Sequence, residues 1–321
     1  MCRLFSKKGL IMGTDVKSVA DRIIGSMGSV IKGKTEQLEA VAAAVIAGGN
    51  ILLEDVPGTG KTVLAKALAK SIRCDFKRIQ FTPDLLPSDI VGINFFNMKT
   101  QEFVLRKGPV FTNILLADEI NRATPRTQSA LLQCMEERQT TIDGETMELP
   151  SPFVVIATQN PVETAGTFPL PEAQLDRFLI RLSLGYCDRE TELGVLEERG
   201  FSDPLDSVSP SASAEELAAC VKAAAEIPVN SAVLSYMGDI AQATRSHGEI
   251  KLGLSTRGLL ALKRMSQAFA AIGGDGFVTP AHVQRAARYV IPHRLICRRR
   301  NAEAGITEEI INSVTVPTEE I

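Results

Sequence analysis

The sequence predicts a three-layer α/β sandwich built on a parallel sheet and followed by a small all-helical domain. Three observations carry that expectation. Five short apolar runs lie between residues 50 and 184, helical stretches separate them, and beyond Gly185 only helical patterns follow.

The apolar runs are Asn50–Asp55, Lys77–Phe81, Asn113–Asp118, Phe153–Thr158 and Leu179–Leu184. Four of them lack polar alternation, which marks strands covered on both faces and hence a parallel sheet between helices. Helical stretches such as Thr62–Ile72 and Thr127–Arg138 alternate with the runs, the pattern of a doubly wound domain. Two alternating segments read as hairpins. One is Asp89–Arg106, turning at Asn97-Met98-Lys99-Thr100; the other is Thr140–Leu149, turning at Asp143-Gly144.

Ser202–Ser213 is rich in Ser, Pro and Asp and reads as a loop. Ser213 and Glu216 then form a capping box ahead of a helix over Ala214–Glu226. Helices over Ser231–Ser246, Thr256–Ile272 and Pro280–Val290 follow, the last with Pro at its first position. The expected division is a disordered extension over 1–18, an α/β domain over 19–188, a linker over 189–213 and a helical lid domain over 214–321.

Composition narrows the function classes. The net charge is -3, so no global positive field gathers nucleic acid or anionic lipid. With no Trp and three Tyr, platforms for stacking single-stranded bases are scarce. Cys2, Cys74, Cys134, Cys187, Cys220 and Cys297 show neither a C-x-x-C pair nor zinc spacing, which points to a reducing compartment. His293 and Cys297, four apart, could share a helix face; packing explains the pair better than metal binding. No apolar run approaches the ~20 residues of a membrane span, and the first residues lack a signal-peptide core. A soluble, cytoplasmic protein is expected.

The strongest motif is Gly58-Thr59-Gly60-Lys61-Thr62, after an apolar strand and before a helix. It is the second half of the P-loop pattern. Glycines let backbone N–H groups wrap phosphate oxygens, and the helix N-terminus adds partial positive charge. Pro57, Gly58, Thr59, Gly60, Lys61, Thr62 and Val63 form this candidate ATP loop. Lys61 is suited to the β- and γ-phosphates and the Thr62 hydroxyl to Mg2+. Asp55 stands where the pattern has its first Gly. The apolar run ending in Asp118-Glu119 supplies a second motif. Asp118 suits Mg2+ and its water, and Glu119 suits polarising an attacking water. Asn160, ending a third buried strand, would stand near the γ-phosphate if that strand lies between the other two.

Together, Leu52–Thr62, Leu116–Ala123, Thr127–Glu137, Ile156–Pro161 and Pro169–Phe178 resemble the MoxR family of AAA+ ATPases, over nearly the whole chain from Val19 to Glu303. The resemblance implies Mg-dependent ATP hydrolysis driving chaperone-like remodelling or assembly of a client protein. It further implies a ring of copies, with a hexamer expected, and a von Willebrand factor A partner. Arg177 looks like an arginine finger serving a neighbouring copy; Arg122 and Arg126 are rivals. Arg257 looks like the lid's second sensor, preceded here by Thr256 where the family usually has Pro. Both hairpins resemble insertions that face the pore of related hexamers. The basic run Arg294–Arg300 reads as a solvated helix face or an inter-subunit contact. Competing classes are a metal-chelatase ATPase subunit, a DNA-translocating motor and a non-catalytic nucleotide switch. The acidic charge disfavours the motor and Glu119 disfavours the switch.

Overall fold

A computed structural model describes residues 15–56, 58–160, 166–198, 204–299 and 301–317. Two helices, α1 (Val16–Gly28) and α2 (Thr35–Ile46), precede the first strand, β1 (Ile51–Glu54). Asp15 caps α1 by accepting from the Ser18 N–H. Helix α1 therefore begins inside the expected extension. Residues 1–14 of that extension lie outside the described residues.

The chain then runs through α3 (Lys61–Ser71), β2 (Phe76–Gln80) and α4 (Pro87–Val91), into a hairpin of β3 (Gly92–Asn97) and β4 (Glu102–Lys107). Next come β5 (Ile114–Asp118), α5 (Pro125–Glu137), a second hairpin of β6 (Gln139–Ile142) and β7 (Glu145–Glu148), β8 (Val154–Gln159), α6 (Glu172–Leu175) and β9 (Ile180–Leu182). In the second hairpin, Asp143 and Gly144 both have positive φ, as a two-residue turn of the predicted kind requires.

All five apolar runs are strands of one parallel sheet in the order β2-β5-β8-β1-β9. Successive residues feed opposite layers. Ile51, Leu53, Ile114, Leu116, Val154 and Ile156 join one buried cluster, while Leu52, Leu115, Ala117, Val155 and Ala157 join another. The first cluster continues into the C-terminal helices, so sheet and lid share a core.

The expected linker contains α7 (Arg189–Glu198), and the helical region begins with α8 (Ala214–Ala225), whose capping box forms as predicted. There follow α9 (Ser231–Ser246), β10 (Ile250–Leu252), α10 (Thr256–Gly273), α11 (Pro280–Val290), β11 (Ile296–Cys297) and α12 (Glu303–Ser313). These elements form the expected helical lid, with one short antiparallel pairing of β10 with β11 set among its helices. His293 sits in a 3-10 turn ahead of β11, so it does not share a helix face with Cys297. No helix among the described residues is long and apolar enough to cross a membrane.

Candidate active site

Gly58 and Gly60 adopt φ of +85° and +87°, a region closed to most side chains. Gly60 caps α3 without a side-chain hydrogen bond, which leaves first-turn N–H groups for an anion. Lys61 lies over this loop, donating to the Asp55 carbonyl at 2.7 Å. Burial lowers its pKa, and the charges of Asp55, Asp118 and Glu119 oppose that shift. The lysine and the acidic motif therefore meet in space. Pro57 lies outside the described residues.

Asp55 explains its own departure from the P-loop pattern. Its carboxylate is buried, and Oδ2 accepts from the N–H groups of Leu184 and Gly185 at 2.7 and 2.9 Å. Oδ1 accepts from the Val56 N–H at 3.2 Å. A glycine here could not tie the loop to the segment following β9.

Asp118 ends β5 at 8% exposure. Its Oδ1 accepts from the Thr158 hydroxyl at 2.6 Å, and the same hydroxyl accepts from the Glu119 N–H at 2.8 Å. On the other side, Arg78 of β2 donates to Oδ2 from Nε at 3.1 Å and from a terminal nitrogen at 2.6 Å. Glu119 takes φ 56° and ψ 49°, a left-handed conformation that costs a non-glycine residue about 1–2 kcal/mol. Gln80 and Arg122 both donate to its Oε2, at 2.7 and 3.0 Å. Arg122 is thus engaged with the acid of its own chain rather than held out for a neighbour. Because β8 lies between β5 and β1, Asn160 follows the strand that separates the acids from the phosphate loop. The hydroxyl of Thr62 and the carboxylate of Asp118 are hard oxygen donors, a set that suits Mg2+ once phosphates and water complete it.

Arg177 and Arg257 lie elsewhere and share one carboxylate. Arg177 reaches Glu136 Oε2 at 3.3 Å, and Arg257 pairs with Glu136 Oε1. Both line a cleft of about 270 Å3 that shares no residue with the cleft beside the phosphate loop. Among the described residues, the buried Arg177 Nε has no hydrogen-bond acceptor. Arg294 corrects the reading of the basic run as solvated. Its side chain is 2% exposed and pairs with Asp176 at 2.6 Å, while donating to the Leu179 carbonyl at 3.1 Å. Gly258 makes room for it, since a Cβ there would meet Arg294 Cδ at 2.8 Å.

Sequence patterns missed one part of the site. A cleft of about 400 Å3 beside Gly58 and Gly60 is walled by Val30, Ile31, Val63 and Tyr186, with Lys32 and Lys34 at its edge. Lys34 donates to the Tyr186 carbonyl at 2.7 Å, joining the α1–α2 turn to the segment after β9. The only signal in the sequence was an apolar pair, Val30-Ile31, in an otherwise polar turn. A largely apolar cleft with a few polar groups beside a phosphate loop has the general character of a small-ligand pocket.

Residues 50–180 match the ATPase family associated with various cellular activities (AAA), and residues 242–314 match the AAA lid domain. The chain is 45% identical to YeaC of Bacillus subtilis, an uncharacterized protein, across 95% of this chain and 97% of that one. It is 36% identical to Chaperone MoxR1 of Mycobacterium tuberculosis, across 91% of this chain and 79% of that one. A crystal structure of a candidate ATPase from Cytophaga hutchinsonii superposes with a TM-score of 0.85 at 36% identity, covering 94% of this chain and 96% of that one.

Proposed function

The chain belongs to the MoxR family of AAA+ ATPases, and from that premise we propose that it hydrolyses Mg·ATP at sites shared between copies in a ring, to remodel or assemble a client protein. One observation carries the shared site. The phosphate loop and both acids converge at the carboxyl ends of β1, β8 and β5, while Arg177 and Arg257 meet at Glu136 in a separate cleft. Arginines so placed suit the nucleotide of an adjacent copy.

In this mechanism the α3 N-terminus and Lys61 hold the triphosphate. Thr62 and Asp118 would hold magnesium, which when bound neutralises phosphate charge. Glu119 orients and polarises the attacking water, with Asn160 beside it. Both observed donors to Glu119 take Oε2, which leaves Oε1 to accept from water. A neighbour's Arg177, with Arg257, stabilises the charge that develops, an effect worth roughly 10³–10⁵ in rate in related systems.

The β3–β4 hairpin supports a polypeptide client over nucleic acid. Met98 and Phe103 are 82% and 74% exposed at its end, and Phe95 and Phe96 are exposed beside them. A six-membered ring with this hairpin at its pore, and a von Willebrand factor A partner, complete the proposal on family membership.

The test mixes two inactive variants, Glu119→Gln and Arg177→Ala. Shared sites restore turnover to about a quarter of the wild-type rate, the share of intact interfaces in a random 1:1 cyclic assembly. Mixtures as inactive as their components would remove Arg177 from the neighbour's site.

A further inference from the structure

A second cleft of about 400 Å3 opens at the other end of the sheet from the phosphate loop and shares no residue with the cleft there. One wall is the end of α2 and the segment leading into β8, which places it at the amino ends of β1 and β8. The facing wall is helical. Ala218, Val221 and Ala225 fall at i, i+3 and i+7 of α8, and Arg264 and Gln267 at i and i+3 of α10. The Gln267 amide donates to the carbonyls of Ala225 and Ile227 at 2.9 and 2.7 Å, which fixes α10 against the end of α8. The cleft therefore has a set shape.

Its lining is apolar or cationic. Val45, Leu149 and Phe153 are among the apolar residues, and Arg138, Lys222 and Arg264 supply positive charge. Among the described residues no carboxylate lines it. Arg138 ends α5 in a left-handed conformation, with φ 57° and ψ 22°, and donates to the carbonyls of Gly48 and Phe153. Those acceptors are neutral, so its charge is left unmatched. Desolvation, and then the Arg264 charge, lower its pKa. Lys222 and Arg264 make no hydrogen bond or ion pair among the described residues. A cavity of this size with apolar walls and a few convergent polar groups is built like a small-molecule pocket, and unmatched cations select the sign of its ligand.

We infer that this cleft binds a small amphipathic anion, an apolar body ending in a carboxylate, with the head on Arg138 and Arg264 and the body between α8 and the segment before β8. A guanidinium fork matches a planar carboxylate, and each methylene laid on the apolar walls adds affinity. A polyanion such as a triphosphate would set most of its charge against those walls. A single head on a hydrocarbon body satisfies both surfaces.

The test titrates octanoate calorimetrically into the full chain at low salt. Octanol serves as the same body without charge, and acetate as the same head without a body. One equivalent of octanoate binds, and octanol and acetate bind at least tenfold more weakly. Ala218→Trp fills the cleft from α8, and Arg264→Gln removes a charge from α10; each weakens octanoate at least tenfold. Arg257→Gln, in the neighbouring cleft alone, and Lys61→Ala, at the far end of the sheet, leave its affinity unchanged. Arg264 is exposed, so Arg264→Gln decides the matter where circular dichroism shows that Ala218→Trp has not folded. Absence of octanoate binding, equal binding of octanol or acetate, or affinity that survives Arg264→Gln or a folded Ala218→Trp overturns the inference. A tenfold loss from Arg257→Gln or Lys61→Ala overturns it too, since the ligand would then lie elsewhere.

Discussion

Replacing Asp55 by glycine restores the sequence pattern of a P-loop and should nonetheless damage the protein. The carboxylate accepts three backbone N–H groups, from Leu184, Gly185 and Val56, and lies at 7% exposure. Hydrogen bonds to a charged group contribute about 1.5 kcal/mol each, and glycine adds about 0.5–1 kcal/mol of backbone entropy. Asp55→Gly should therefore cost about 5–5.5 kcal/mol and lower the apparent Tm by roughly 10–20 °C. Asp55→Asn is the informative control. Its amide oxygen can take the place of Oδ2 and keep Leu184 and Gly185, whereas its NH2 meets the Val56 N–H as donor against donor. A loss of about 1–2 kcal/mol follows. Denaturant melts of the three proteins, with Mg·ATP affinity measured in parallel, give the ranking. An Asp55→Gly protein as stable as the wild type would refute the strut between the phosphate loop and the segment after β9.

Lys61→Ala should lose measurable uptake of Mg·ATP in calorimetry while keeping its fold, because among the described residues the side chain donates only to the Asp55 and Val56 carbonyls. Arg294→Met removes one partner of a buried ion pair and should cost about 3–5 kcal/mol in a denaturant melt; a near-neutral effect would mean that Asp176 is well served by water. Stability should also fall in mild acid. Burial, then the Arg294 charge, hold His293 well below its ordinary pKa of 6.5, so the unfolded chain binds the proton more readily. Stability is complete above about pH 6.5 and declines below it, by at most about 1.4 kcal/mol per pH unit for each such group. His282, lowered chiefly by burial and opposed by Asp275, adds in the same direction. A His293→Gln variant should show a flatter melting profile between pH 7 and pH 5.

The parts of the fold that were legible in the sequence are those whose physics is local and redundant. The five central runs are uniformly apolar because a parallel strand between helix layers is covered on both sides, and each became a strand. The capping box at Ser213 and the Asp143-Gly144 turn are chemical signals that need no tertiary context. Other features were carried by partners far along the chain. Strand β11 has two residues and forms only because β10 lies opposite. Helix α7 is rich in charge and lacks an apolar stripe, so its sequence read as linker. Helix α1, by contrast, had a readable stripe in Val16, Val19, Ala20, Ile23 and Met27 behind an Asp15 cap. Arg294 looked solvated because nothing nearby in sequence announces Asp176, which is 118 positions away. The cleft beside Gly58 and Gly60 was hidden for the same reason, its walls coming from the α1–α2 turn and the segment after β9.

The acids at the end of β5 show how sheet order turns separate motifs into one device. Strand β2 lies on one side of β5 and β8 on the other, so the Asp118 carboxylate is held from both flanks, while Glu119 is held through its carboxylate by β2 and through its backbone N–H by β8. Arg78 and Gln80 stand two apart on β2 and hence on one face, where one holds Asp118 and the other Glu119. Thr158 on β8 links the two acids through a single hydroxyl, donating to one and accepting from the backbone of the other. Glu119 remains in its left-handed conformation because these contacts fix it from the side chain and from the main chain at once. The strain is therefore borne by two strands rather than by the turn. A change in the position of β2 would alter the support of both acids together, whereas one in β8 would act first on the hydroxyl that joins them. Edge strand β2 is bonded to the sheet along one side only, so whatever displaces it acts on the support of both carboxylates at once.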